Sequence, residues 1–172
     1  CPASNIFMFN VTCKIKKILA AGINVAIGTD STHTGSANIL EEMRFARQTY
    51  RNMYGEDLSA KELFSMVTIN PAKAFRMADS IGSIETGKNA DILVMKAVEN
   101  DPYENLARAR MEDIELLTVD GIPVLAEGRF ACLLPDGGKG YEEIQSGGRP
   151  VLVKGSPATL YKAIRNAVGF KD

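Results

Sequence analysis

The sequence predicts an α/β fold with a helical first half and a β-rich second half. Two observations lead to this prediction. An apolar run at 23–28 follows a short helical pattern after a single glycine, and such tight helix-to-strand links are typical of parallel-sheet units. After Asp79 the helical spacing gives way to turn signals about every ten residues, as in sheets of short strands. We therefore expect one buried strand with covering helices, followed by a small antiparallel sheet.

The first half begins with a helix predicted over 14–21, which carries its apolar residues on one side and ends at Gly22. The apolar strand at 23–28 follows directly. Apolar residues then recur at helical spacing over 40–54, which predicts an amphipathic helix that Gly55 terminates.

Start signals predict two further helices. Ser59 and Glu62 have the spacing of a capping box. Asn70 followed by Pro71 predicts another helix, with the asparagine as its cap and the proline at its first position. The apolar run at 7–9 is interpreted as core or barrel lining. Three helices after one strand are typical of the closing segment of a barrel, with the helices packed outside.

A hairpin is the clearest feature of the second half. The Asp120-Gly121 pair supplies the positive φ angles of a type I′ turn between strands at 114–119 and 122–126. An earlier strand is predicted at 91–96, where apolar residues follow a turn. The second half is expected to be a small β-rich unit.

The hairpin is followed by two more strands and a terminal helix. Because Pro123 donates no backbone hydrogen bond, its strand should lie at an edge or pair on one side only at that residue. Glycine-rich loops bracket strands predicted near 141–145 and 150–154. A helix over 156–168 is expected to start with Ser156 as its cap.

Composition excludes several functional classes. The 172 residues carry a net charge of −1, which leaves no electrostatic footprint for nucleic acid. No apolar stretch reaches the ~18 residues of a spanning helix, and no leader pattern is present. Cys1, Cys13 and Cys132 are unclustered, as in proteins of the reducing cytoplasm. We expect a truncated or artificial N-terminus, because 1–5 lacks an initiator methionine and suggests the exit of a missing strand.

The candidate site centres on Asp30, which follows the apolar run at the carboxyl end of the predicted strand. Catalytic groups of barrel and open-sheet enzymes lie at such strand ends. The alternative is that Asp30 accepts N–H bonds from the following loop, as aspartates after strands commonly do. His33 is the single histidine, whereas hydrolytic metal sites usually need several imidazoles or thiolates. The sequence therefore predicts part of an active site without its other ligands.

Six short strings follow one another over 1–121, and together they are more specific than any one alone. They are Cys1-Pro2-Ala3-Ser4-Asn5, residues 20–31 ending in Gly28-Thr29-Asp30-Ser31, Glu41-Glu42-Met43-Arg44-Phe45-Ala46, Thr68-Ile69-Asn70-Pro71-Ala72-Lys73-Ala74, residues 82–94, and Val119-Asp120-Gly121. In this order they resemble the C-terminal portion of the metal-dependent amidohydrolase superfamily, in its chlorohydrolase, aminohydrolase and cyclic-amidine deaminase branch.

The resemblance implies a fold in two parts. Residues 1–79 would be the C-terminal segment of a TIM (β/α)8 barrel, with 23–28 as its last strand and 38–77 as its closing helices. Residues 80–172 would form part of a small β-sandwich with a terminal helix. Since a complete barrel takes ~250 residues, this chain is too short to hold one.

The resemblance also assigns site residues. Asp30 would be both a metal ligand and the catalytic group that moves protons, while His33, Ser31 and Asn5 are candidate substrate contacts. The complete enzyme would hold a divalent metal, which could be zinc, iron or manganese. This chain alone is expected to bind none, because the family's histidine ligands have no counterparts here.

The leading hypothesis is a C-terminal fragment of a metal-dependent hydrolase of non-peptide carbon–nitrogen bonds, acting by deamination or by opening a cyclic amide or amidine. The fragment alone would be inactive, and the complete enzyme would take a small-molecule substrate. The alternative is a non-catalytic binding or assembly module, or one half of a split enzyme. A lone strand at 23–27 would expose an apolar edge, so we expect the chain to form homo-oligomers or to pair with an N-terminal fragment.

Overall fold

The computed structural model describes residues 1–169, which form two compact units. The units, by residue number, are 1–88 with 97–110, and 89–96 with the residues from 111 onwards. The predicted domain limits, 1–79 and 80–172, stay a prediction, and residues 170–172 lie outside the described part of the chain.

The first unit is helical. Its helices are α1 (Pro2–Phe9), α2 (Ile15–Ala20), α3 (Ile39–Tyr54), α4 (Ala60–Val67), α5 (Ile69–Ala74) and α6 (Pro102–Arg108). Helix α3 packs on α1 and α6, and α4 packs on α5 and α6. Their shared core is apolar and sealed from solvent, with Leu40, Met43, Leu58, Leu63 and Met66 at its centre.

The helices predicted at 14–21 and 40–54 are confirmed as α2 and α3. Gly55 ends α3 at a φ of 70°, in the left-handed region that glycine enters without strain. The capping box is also confirmed: Ser59 Oγ accepts from the N–H of Glu62, whose carboxylate accepts from the N–H of Ser59.

Two helices were not predicted. Helix α1 forms where the exit of a missing strand was expected, with Pro2 in its first turn, a position that suits proline. Phe7 and Phe9 are 71% and 66% exposed, so the interpretation of 7–9 as core is wrong for this chain. The reason is that α1 turns Ala3 and Ser4 inwards, which leaves its far end outside. Helix α6 spans two turns and is too short for its periodicity to stand out.

The strand predicted at 23–28 is wrong for this chain, because that segment joins no sheet within the described residues. It runs instead along α4 and α5, where Ile27 N donates to Met66 O at 3.0 Å. The amide of Asn70 donates to Val25 O at 2.8 Å, and Asn24 Nδ2 donates back to Asn70 O at 2.8 Å. A strand needs a neighbouring strand to satisfy its backbone, and here a side-chain amide and a helix end take that role.

Asn70 is consequently not the cap of its helix. Helix α5 begins one residue before it, with Thr68 at the cap position and no side-chain cap bond. The Asn70 side chain is used to hold the extended segment.

The second unit contains an open antiparallel sheet of five strands in the order β1-β2-β3-β5-β4. The strands are β1 (Leu93–Met95), β2 (Ile114–Val119), β3 (Ile122–Glu127), β4 (Tyr141–Ser146) and β5 (Arg149–Lys154). The predicted strands are confirmed, although β1 is shorter than 91–96. Leu116, Ala126 and Leu134 form its core, against which Phe130 and Tyr141 pack.

The predicted hairpin joins β2 and β3, with φ angles of 51° at Asp120 and 76° at Gly121. Pro123 pairs with Thr118 on one side, while β5 contacts β3 only from Leu125 onwards. Proline therefore removes no donor from a second ladder, as predicted. No helix among the described residues is long and apolar enough to cross a membrane.

Helix α7 (Pro157–Val168) follows β5 and confirms the predicted terminal helix. Its cap differs from the prediction, because Ser156 makes no side-chain cap bond. Glu142 of β4 takes this role, accepting from Ala158 N at 2.7 Å and from Thr159 N at 3.2 Å. The hydrogen bond from the Thr159 hydroxyl contributes most to holding the pKa of Glu142 below its usual range.

We predict that Glu142→Ala loosens the start of α7, whereas Ser156→Ala leaves it unchanged. The amides of Ala158 and Thr159 should exchange with solvent faster in the first variant, because their acceptor is gone. Hydrogen exchange followed by NMR measures this effect. Equal exchange in the two variants would contradict the cap assignment.

An ion cluster ties three elements of the first unit together. Arg47 on α3 donates to both oxygens of Asp57, at 3.1 and 2.9 Å, and to both oxygens of Glu104 on α6, each at 2.7 Å. The Arg47 bonds hold the pKa of Glu104 below its usual range. Burial raises the pKa of Asp57, but bonds from Arg47 and Arg51 outweigh it, and the net pKa is lowered.

We predict that Arg47→Met lowers the free energy of unfolding at neutral pH by on the order of 1–3 kcal/mol, with both carboxylates partly screened by solvent. Carboxylates with lowered pKa values stabilise the folded state above their unfolded pKa near 4, and this contribution is lost as pH falls. Denaturant titrations between about pH 7 and pH 3 should therefore show a shallower pH dependence in the variant.

Lys16→Met is the matched control, because it breaks the half-exposed ion pair with Glu56. Exposed pairs contribute about 0–1 kcal/mol, so this variant should stay close to wild type. An Arg47→Met protein as stable as the Lys16→Met protein would contradict the role given to the cluster.

Candidate functional site

The site is built on the loop that follows the extended segment. Thr34 N and Gly35 N both donate to Ser31 O, at 3.1 and 2.7 Å, which closes the loop into a tight turn. A Cβ on Gly35 would stand 2.2 Å from Thr29 O, far inside van der Waals contact. Only glycine therefore allows the loop to close this way.

Asp30 lies at the start of this loop with a φ of 59°. Aspartate is one of the few side chains that enter the left-handed region readily, and this backbone turns its carboxylate back towards α1. Ser4 Oγ donates to Asp30 Oδ2 at 2.5 Å. A charge-assisted hydrogen bond of this kind fixes the carboxylate more firmly than a neutral one.

A second hydroxyl extends the contact. Ser4 Oγ lies 2.8 Å from Thr34 Oγ1. Since a serine hydroxyl has a single proton and Ser4 gives it to Asp30, Thr34 is the donor of this bond. The result is a directed chain from Thr34 through Ser4 to Asp30.

Burial differs sharply along this chain. Ser4 is fully sealed from solvent, whereas Asp30 is exposed. The carboxylate is thus held from the protein side and open on the other, as expected of a group that meets a ligand. The Asp30 carboxylate accepts from a side chain of α1, which lies 26 residues away in the sequence.

The first turn of α3 holds both halves of this arrangement. Glu41 Oε2 accepts from Ala37 N at 3.0 Å, at the end of the Asp30 loop. Glu42 Oε1 accepts from Ala3 N at 3.0 Å, at the start of α1. Two consecutive glutamates therefore anchor the loop and the helix whose side chains meet at Asp30.

The other predicted site residues are placed in two groups. Ser31 and His33 share the exposed loop with Asp30, and Ser31 Oγ accepts from His33 N at 3.2 Å. Asn5 follows Ser4 on α1, but its side chain donates to Thr12 Oγ1 at 3.3 Å. Their roles as substrate contacts stay predictions.

Asn5 lines an apolar groove within the first unit. Other lining residues are Cys1, Cys13, Val25, Ile27, Tyr50 and Met66. Residues 25–27 of the extended segment form one wall of this groove.

The donor set fits one metal ligand and not a complete site. The described residues contain no group of three or more histidine, cysteine, aspartate or glutamate side chains placed to hold a metal ion. Asp30 has the properties of a single ligand, because ligating carboxylates are typically hydrogen-bonded on their far side, as Ser4 bonds this one.

Sequence reasoning missed Ser4, Thr34 and Glu42. Ser4 stands inside the first of the six strings, and Pro2 before it is a helix-start signal that would have placed Ser4 on a helix. The contacts of Ser4 with Asp30 and Thr34 join residues 26 and 30 apart in sequence, which no local pattern reveals.

Comparisons with known proteins agree with the resemblance. The model of the amidohydrolase family matches residues 1–126. The 5-methylthioadenosine/S-adenosylhomocysteine deaminase of Moorella thermoacetica is 32% identical over 143 residues, covering 77% of this chain and 33% of its own length. The chain thus spans about a third of the length of the curated relatives it matches.

Parts of two solved structures have a fold similar to that of this chain. An adenosine deaminase from Xanthomonas campestris with bound zinc superposes with a TM-score of 0.73 and 24% identity over 96% of this chain and 35% of that one. Atrazine chlorohydrolase from Arthrobacter aurescens, complexed with zinc, gives a TM-score of 0.60 and 27% identity over 71% of this chain and 29% of that one.

The family match covers well over half of the sequence and includes every residue of the hydrogen-bonded chain around Asp30. This chain is a member of the amidohydrolase family and spans part of the length of such proteins.

Proposed function

We propose that the protein to which this chain belongs hydrolyses carbon–nitrogen bonds of small molecules, by deamination or by opening a cyclic amide or amidine. The observation that carries the proposal is the exposed Asp30 carboxylate, held from behind by Ser4 and Thr34 at the end of the extended segment. The similar 5-methylthioadenosine/S-adenosylhomocysteine deaminase supports this reaction, because deamination breaks a carbon–nitrogen bond. The similar atrazine chlorohydrolase supports only a small-molecule substrate.

Asp30 would serve as one ligand of a divalent metal and as the group that moves the proton. Zinc is favoured over iron or manganese, since two structurally similar proteins hold zinc. Such a metal, when bound, would supply an activated water as the nucleophile. The Asp30 carboxylate would accept a proton from the attacking water and donate it to the leaving nitrogen. Ser4 keeps Oδ2 oriented while that transfer occurs.

The remaining ligands and the substrate-binding loops would come from the two-thirds of the relatives' length that this chain does not cover. In the assembled protein, 23–28 would be the last strand of a (β/α)8 barrel, with α3, α4 and α5 as closing helices. The open sheet would be part of a β-sandwich. His33, Ser31 and Asn5 remain the proposed substrate contacts on this chain. The exposed free thiols Cys1, Cys13 and Cys132 favour a reducing compartment such as the cytoplasm.

We predict that Asp30→Asn in the complete protein lowers turnover by about a thousandfold, because the amide neither takes the proton nor matches the carboxylate as a ligand. Asparagine enters the left-handed region as aspartate does, so the fold should persist. Turnover on a panel of aminopurines and triazines, bound zinc and circular dichroism are the measurements. Asp136→Asn, at another aspartate with positive φ, is the control. Undiminished turnover in Asp30→Asn would refute the assignment.

A second prediction concerns the proposal that the metal ligands are divided between this chain and the rest of the complete protein. Zinc titrated into this chain alone should bind no more tightly than to the Asp30→Asn chain, since one carboxylate cannot retain the metal. Co-expression with the polypeptide that supplies the remainder of the family fold should give stoichiometric zinc and hydrolysis. Calorimetry and metal analysis distinguish the outcomes. Tight zinc binding by the chain alone would contradict a shared site, and no gain on co-expression would favour a non-catalytic module.

A further inference from the structure

Glu42 is a fully buried carboxylate that the proposed reaction does not use. Its Oε1 accepts one hydrogen bond, from Ala3 N, and its Oε2 has no hydrogen-bond partner among residues 1–169. Burying a carboxylate with a single donor is costly compared with burying a leucine of similar volume. A glutamate at this position is therefore expected to have a role that depends on its hydrogen bond to Ala3 N, which leucine would not form.

That bond lies one residue from Ser4. The first N–H groups of a helix have no partner inside it and point towards the N-terminus, where negative charge is favoured. Glu42 meets one of these groups, Ala3 N, at the start of α1. The remote end of α1 is anchored poorly, since Phe7 and Phe9 are largely exposed. The hydrogen bond from Ala3 N to Glu42 is consequently the contact that positions the first turn of α1, including Ser4, against α3.

The contacts close into a ring. From Glu42 they pass to Ala3, along one peptide unit to Ser4, and across to Asp30. The Asp30 loop returns to the first turn of α3 through the bond from Ala37 N to Glu41. Loss of one link in such a ring frees its neighbours, and a displaced Ser4 no longer reaches Asp30.

We propose that Glu42 is a positioning residue for Asp30, acting through helix α1 and the Ser4 hydroxyl. The proposal rests on the function assigned to Asp30, but the linkage itself is a property of this chain. It assigns Glu42 no contact with substrate or metal. Glutamine at this position keeps an oxygen acceptor for Ala3 N, whereas leucine removes it.

The first test follows the chain itself by NMR. Glu42→Leu should shift the Asp30 and Thr34 amide resonances in the direction seen in Ser4→Ala, and should speed hydrogen exchange in α1. Glu42→Gln should leave these signals near wild type. Ser59→Ala is the control, because loss of the α4 cap costs about 1 kcal/mol of stability without touching the ring. Should Glu42→Leu not fold, Glu42→Met replaces it.

The second test is a double-mutant cycle in the complete protein. Glu42→Leu alone should lower kcat about tenfold to a hundredfold with KM within about twofold, as expected of a residue that orients a metal-side group. In a Ser4→Ala background the same change should lower kcat by less than about threefold, because both residues act through one contact. Fully additive losses would overturn the proposal.

The two tests separate this proposal from the function of Asp30. The function would be refuted if the wild-type complete protein showed no hydrolytic activity. The linkage would still stand if Glu42→Leu shifted the Asp30 and Thr34 amide resonances as Ser4→Ala does. Asp30 and Thr34 resonances in Glu42→Leu that match those of Ser59→Ala would refute the linkage, whatever the activity.

Discussion

The hydrogen bond from Ser4 to Asp30 is the contact on which the candidate site depends. It joins a short helix to a loop 26 residues away and fixes a carboxylate that the chain otherwise leaves open to solvent. The loop supplies a left-handed residue and a glycine-only closure, and the helix supplies a sealed hydroxyl. Neither element positions the carboxylate alone, because the loop is exposed and α1 is only two turns long.

The extended segment at 23–28 shows how a chain satisfies backbone groups that a strand would satisfy in a sheet. Asn70 bonds to it in both directions, through its side-chain amide to Val25 O and through its own carbonyl from Asn24. These bonds keep the segment extended and aim its end, with Asp30, at α1. They leave its outer residues open, as the 57% exposure of Ile23 indicates.

Elements encoded by adjacent residues were predicted well. The capping box at Ser59, the Asp120-Gly121 hairpin and the glycine after α3 each depend on backbone preferences within about four residues. Features that depend on distant partners were missed. The cap of α7 was assigned to Ser156, yet Glu142 from a neighbouring strand holds it. The sequence predicts Asn70 as a helix cap, whereas its side-chain amide donates to Val25 O, 45 residues earlier in the chain.

The same difference between local and distant contacts explains which residues of the candidate site could be predicted from the sequence. Asp30 could be identified from the sequence, because it is a carboxylate directly after an apolar run, and catalytic groups commonly lie at such strand ends. Ser4 and Glu42 could not, since an isolated serine or a helical glutamate is unremarkable until the fold brings it to its partner. The six ordered strings added the family, and with it a reason to treat Asp30 as more than a turn residue.

A chain that spans a third of the length of its relatives can still hold a carboxylate in a defined orientation, because the ring around Asp30 is closed within residues 3–42. Its three hydrogen bonds and the backbone segments that join them all belong to this chain, so the carboxylate is oriented without a metal or another polypeptide. A metal ligand held in place before the metal arrives loses less conformational entropy on binding. The orientation of the Asp30 carboxylate is thus determined locally, whereas the proposed function also needs ligands that this ring does not supply.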